Sequence, residues 1–202
     1  PSRAGELEQA RIERQAYVRQ MEELKKELET SAGKRALLSG KITNFMAGHG
    51  TMGLEILGDA PDTAAVIAGV GGGGLITGVG SALKALKPGI RVWGAEPETA
   101  APAARSFAAG TAQAFEEWQP SFVDGAGGRS IFPRMWQRMK TVEDGTIVVT
   151  LGQTRQAMRL MAEKSRVISE GAGALGLAAA LTGQAGPGPI VAIVSGGNID
   201  LD

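Results

Sequence analysis

No cysteine stands anywhere in the 202 residues, so disulfides, thiolate metal sites and a cysteine nucleophile are excluded together. Charge of either sign is not in excess: 21 basic residues balance 21 acidic ones. That balance removes the electrostatic footprint expected of a nucleic-acid-binding protein or one that binds an anionic membrane surface. No stretch approaches the roughly 18 to 20 apolar residues of a membrane span. The opening Pro1-Ser2-Arg3-Ala4-Gly5 leads into charged residues and not into an apolar signal core. Small molecules and other copies of the chain are the expected partners, and the cytoplasm the expected location.

What is present divides in two. Residues 6 to 41 are dense in Glu, Lys, Arg and Gln, whereas the remainder is rich in Gly, Ala and Val. In the first part Leu7, Ala10, Arg14, Tyr17, Met21, Leu24 and Leu28 alternate three and four apart, the seam of a helix that buries one narrow stripe. Gly33 is the expected stop of that helix. The seam suits a coiled-coil or docking helix, or a helix packed on its own domain.

From Thr63 short apolar runs alternate with glycine. Ala64 to Val70 suits a strand buried on both faces of a parallel sheet. Gly71-Gly72-Gly73-Gly74-Leu75 follows, then a helical pattern from Ile76 to Leu86 stopped by Lys87-Pro88-Gly89, then a second strand at Arg91 to Glu96. These segments make a βαβ unit. Four glycines in a row cost conformational entropy that neither helix nor strand propensity repays. Bare backbone there lets successive N–H groups converge on an anion at the positive end of the following helix, which makes phosphate the natural ligand. The pattern G-x-x-x-x-G-K-[ST] is absent, so a small phosphate monoester fits better than a nucleotide. The plainer alternative is a tight strand-to-helix turn without a ligand.

Several motifs then coincide in order. Ala47-Gly48-His49-Gly50-Thr51-Met52-Gly53-Leu54-Glu55-Ile56 is similar to the A-G-[QH]-G-T-x-x-L-E-[IL] segment of threonine dehydratases and serine racemases. Gly71 to Leu75 resembles their phosphate loop, and Val92 to Pro97 the strand end that follows it. Ser121-Phe122-Val123-Asp124-Gly125, Ser169-Glu170-Gly171-Ala172-Gly173-Ala174 and Ser195-Gly196-Gly197-Asn198-Ile199-Asp200 complete the set. Together they resemble the pyridoxal-phosphate (PLP) enzymes of fold type II over about three quarters of the chain.

The resemblance implies an α/β fold, a mostly parallel sheet flanked by helices, with residues 1–46 an N-terminal helical segment and 47–202 the PLP-binding domain. It implies that the backbone of Gly71, Gly72, Gly73, Gly74 and Leu75 holds the PLP phosphate and that Gly125 approaches the cofactor by its backbone. Ser195, after a strand expected at Ile190 to Val194, is implied to bond the pyridine nitrogen. A neutral partner there leaves the ring a weaker electron sink, which favours β-elimination over transamination. Glu170 is implied to face the ring, although a carboxylate at a helix start has an ordinary electrostatic explanation. His49 holds a place where relatives carry glutamine or histidine, so proton chemistry is not required of it. Glu96 ligates a cation in some relatives, but Pro102 replaces their second carboxylate, and no metal site is expected. Met21, Met135, Met139, Met158 and Met161 read as core filler.

The implied activity is dehydration and deamination of a hydroxy amino acid such as threonine or serine, a β-elimination that yields a 2-oxo acid and ammonia, by a homo-oligomer. Racemisation begins with the same proton removal and is an alternative. The family's covalent lysine lies in a K-x-R-G-A-like stretch that is not recognisable here. Lys34, in Thr30-Ser31-Ala32-Gly33-Lys34-Arg35-Ala36, is the nearest candidate, and Lys41 fares no better. A non-catalytic derivative that keeps the phosphate site and assembles through its N-terminal helix is the second alternative.

Overall fold

The computed structural model describes residues 31–199, with side chains from Thr43 onward. The seam from Leu7 to Leu28 lies outside the described residues. The chain divides into two compact units, Pro1–Asn44 and Phe45–Asp202. Gly33, expected as a stop, instead lies inside helix α1, Ser31–Asp59. A single glycine costs a helix only about 1 kcal/mol relative to alanine, too little to end one flanked by Ala, Lys, Arg and Leu.

The second unit is built on four parallel strands, β1 (Ala65–Gly69), β2 (Arg91–Pro97), β3 (Gly145–Val149) and β4 (Ile190–Ala192), in the order β3-β2-β1-β4. Pairing places Ala65 beside Arg91 and Ile190, and Trp93 beside Gly145. Helices α2 (Gly74–Leu86), α3 (Pro102–Ala109), α4 (Pro133–Val142), α5 (Leu151–Ser165) and α6 (Gly171–Ala180) connect and cover them.

Period-two alternation sends the strand residues to two cores. Ala65, Ile67, Ala95, Ile147 and Val149 pack with Ala157 and Met161 of α5 and Ala174, Leu175 and Ala178 of α6. Val66, Ala68 and Val92 pack on the other face with Ile76, Val79 and Leu83 of α2 and Trp136 and Met139 of α4. Both faces of β1 are therefore buried, which is why its sequence is an unbroken apolar run. The sheet is covered on both faces, as the crossover of parallel strands requires.

One expected strand is shorter than its sequence. The run Ile190 to Val194 pairs only over Ile190–Ala192, which is half-buried, and Val194 is 42% exposed. Among the described residues β4 pairs with β1 alone, so its apolar residues are enclosed from one side.

Candidate active site

All strands of a parallel sheet end on the same edge, and loops at that carboxyl edge are where open α/β sheets bind ligands. β1 leads there into Val70, whose N–H donates to the Ala95 carbonyl at 2.9 Å, and then into bends at Gly71, Gly72 and Gly73. α2 begins at Gly74. Gly73 sits at φ 85°, in the left-handed region open to glycine at little cost. None of the amides from Gly71 to Leu75 donates to a backbone carbonyl among the described residues; the first to do so is Thr77, whose N–H reaches the Gly73 carbonyl at 3.1 Å.

Two more loops converge on this one. The Gly127 N–H donates to the Val70 carbonyl at 3.0 Å, and the Trp118 indole donates to the Gly127 carbonyl at 3.1 Å, so the turn from Ser121 to Gly127 is fastened to the end of β1. A Cβ placed on Gly71 would stand 3.4 Å from the Gly125 carbonyl, which makes Gly71 and Gly125 direct neighbours. Glu170 is the N-cap residue of α6, yet its side chain makes no capping bond. Its carboxylate lies against Gly196, and a Cβ on Gly125 would meet its Oε1 at 3.2 Å. The Glu170 N–H donates to the Gly196 carbonyl at 3.2 Å, which ties the exposed Ser195 to the same rim. Gly71, Gly125, Glu170 and the Ser195-Gly196 turn thus form one continuous edge, drawn from four separated sequence segments.

The glycine row fits a phosphate. Five donors without a backbone acceptor meet at a helix N-terminus, which carries partial positive charge. A Cβ on Gly72 would touch nothing within 4 Å, so the space at Gly72 is open, whereas one on Gly74 would meet the Phe45 ring at 3.0 Å. Behind it, a Cβ on Gly73 would strike Met139 Sδ at 2.7 Å and Met135 Cγ at 2.9 Å. Met139 is fully buried and supports the loop from the core.

His49 lies on α1, edge-on to Phe45 with ring centroids 4.3 Å apart, and its Nε2 is buried without a partner. Glu96 is buried, and its two oxygens accept from the N–H groups of Ala103 and Ala104, both at 2.9 Å. Burial pushes its pKa up to about 7 against those bonds. Its carboxylate therefore caps α3, whose first residue is Pro102. Among the described residues no cluster of three or more potential metal ligands occurs.

Lys34 and Lys41 fall in the Pro1–Asn44 unit, and their side chains lie outside the described residues. At the far end of α2, Lys84 pairs with Asp144 at 2.8 Å and Lys87 bonds the carbonyls of Pro61 and Thr63. Sequence reading missed Thr77 and Glu143, which meet behind the glycine loop. Thr77 stands in an apolar helix stretch and Glu143 just past a helix end, so neither carries a signal that spacing reveals.

The family model described as "Pyridoxal-phosphate dependent enzyme" matches residues 8–196. The chain belongs to this family. The cofactor of this family is pyridoxal phosphate, and the sheet with helices on both faces is the fold-type-II arrangement of its members. The chain is 38% identical over 160 residues to the L-threonine ammonia-lyase of Thermotoga maritima, covering 79% of this chain and 40% of that protein. It is 37% identical over 161 residues to the catabolic L-threonine dehydratase TdcB of Staphylococcus aureus, covering 77% and 46%. Among solved structures, a T.th. threonine deaminase superposes with a TM-score of 0.73 at 38% identity, covering 78% of this chain and 59% of that one. Maize serine racemase follows at 0.72 and 36%, covering 77% and 51%. The chain spans less than half the length of the curated relatives it matches.

Proposed function

We propose that residues 47–202 are the cofactor-binding domain of a PLP-dependent ammonia-lyase acting on a hydroxy amino acid such as threonine or serine. The observation that carries this reading is the set of amides from Gly71 to Leu75 without a backbone acceptor, with open space at Gly72 and with Gly125 beside Gly71. In this reading those amides bind the cofactor phosphate, Gly125 lets the ring approach its backbone, and the Ser195 hydroxyl donates to the pyridine nitrogen. The cofactor, when bound, supplies an electron sink for charge developing at the substrate α-carbon. Ser195 is neutral, so it leaves the ring nitrogen largely unprotonated and moderates that sink. A moderated sink suits loss of a β-hydroxyl, which drains the charge. Glu170, against Gly196 and near Gly125, orients the turn that presents Ser195.

The similarity to a serine racemase favours a second reading, racemisation, which shares proton removal at the α-carbon. A homo-oligomer in the cytoplasm is the proposed setting. Among the described residues no helix is long and apolar enough to cross a membrane.

The test supplies PLP with L-threonine, and separately L-serine, and follows 2-oxo acid and D-amino acid together. Formation of 2-oxo acid, in this chain or on adding a lysine-bearing fragment, supports the lyase. D-serine as the main product would replace it with the racemase.

A further inference from the structure

Behind the glycine loop stands a carboxylate that the proposed chemistry does not use. Glu143, just after α4, is buried among Thr77, Gly94 and Thr146, at 6% exposure. Its Oε1 lies 3.2 Å from Thr77 Oγ1, and its Oε2 has no partner. The Thr77 hydroxyl, itself fully buried, is 2.6 Å from the Gly73 carbonyl. A hydroxyl has one hydrogen, and the shorter contact takes it. The contact with Glu143 is then a hydrogen bond only where the Glu143 carboxyl donates. The chain of donors runs from the Glu143 O–H to Thr77 Oγ1, and from the Thr77 O–H to the Gly73 carbonyl.

That carbonyl and the Gly74 N–H belong to one rigid peptide plane and point in opposite directions. Anchoring the carbonyl inward, by the Thr77 hydroxyl and the Thr77 N–H, aims the Gly74 N–H out of the helix start. We infer that Glu143 acts through Thr77 as a positioning residue for the glycine loop, fixing the Gly73–Gly74 peptide so that its N–H faces a bound phosphate monoester. This rests on the reading of the loop as the phosphate site.

The surroundings keep Glu143 protonated near neutrality. Burial raises its pKa to about 8; donation from the Thr77 hydroxyl to the ionised form opposes this, and Glu96 of β2 adds to the rise. On its own turn Asp144 is neutralised by Lys84 of α2. Lys140 of α4 is exposed. When Glu143 ionises, the carboxylate draws the Thr77 hydrogen away from Gly73, because a charged acceptor outcompetes a carbonyl. The loop loses an anchor and gains a negative charge behind it, and both changes weaken binding of a phosphate dianion.

The experiment titrates wild type, Glu143→Gln and Gly72→Val with pyridoxine 5′-phosphate from pH 6.5 to 9.5, with circular dichroism at each pH to follow folding. Glu143→Gln supplies a donor to Thr77 that does not titrate, and the ratio of affinities cancels the ligand's own ionisation. Wild type should bind about as well as Glu143→Gln at pH 7 and roughly five- to tenfold more weakly than it at pH 9.5, the scale of one hydrogen bond. A ratio level across that range overturns the role of Glu143 and leaves the loop assignment standing. Gly72→Val binding as tightly as wild type overturns the loop assignment, and this inference with it.

Discussion

Gly73 and Ser195 differ in what each owes to the fold. Gly73 at φ 85° is a position where an L side chain is strained, and a Cβ there meets Met139 and Met135 as well. Gly73→Ala should lower stability by about 1 to 3 kcal/mol, read from denaturant unfolding. A change below about 0.5 kcal/mol would mean that the loop is not held in this conformation. Ser195, exposed after β4, owes the fold little. Ser195→Ala should leave the melting temperature in place and weaken PLP binding by about 0.5 to 1.5 kcal/mol, the worth of one neutral hydrogen bond. Equal affinity of the two proteins would remove Ser195 from the site.

Helices α1 and α2 meet where small residues let backbones touch. A Cβ on Gly78 would collide with the Met46 carbonyl and stand 2.8 Å from His49 Cβ, and one on Gly53 would stand 2.9 Å from the Val79 carbonyl. Backbone on both sides leaves nothing to rotate away, so Gly78→Ala should cost about 3 kcal/mol, more than most overpacked cores. A melting temperature unchanged in that variant would contradict the packing of Met46 to Gly53 on α2. This contact was not legible in the sequence. There Ala47 to Leu57 is recognisable only as a motif, because the partner of a glycine face is set by tertiary packing. The unit from β1 through α2 to β2, by contrast, was legible almost to the residue. Its buried strand, glycine row and Pro88-Gly89 stop are each local signals. That Gly125, Glu170 and Ser195 belong to one site with the glycine loop was an expectation from resemblance alone, since no spacing encodes a neighbour dozens of residues away.

Over the whole molecule, Glu96 and Glu143 set a pH dependence of stability. Their pKa values in the folded protein, about 7 and about 8, lie above the ordinary 4.5. Between 4.5 and those values the folded state holds protons that the unfolded state has released, so stability falls as pH rises through that window and levels above about 8. The slope is up to about 1.4 kcal/mol per pH unit for each group. Thermal unfolding from pH 5 to 9 should show the decline, and Glu143→Gln should flatten its upper part. Stability that rises from pH 5 to 8 would contradict the burial of both carboxyls.

The central claim is that the glycine loop holds the cofactor by its phosphate, and calorimetric titration of wild type and Gly72→Val with PLP tests it most directly. Gly72 has no positive φ and no neighbour within 4 Å of a Cβ, so valine there leaves the fold intact and intrudes only on the open side. The account predicts saturable binding to wild type and affinity at least tenfold lower for Gly72→Val, at an unchanged melting temperature. Equal affinity for the two proteins would contradict it.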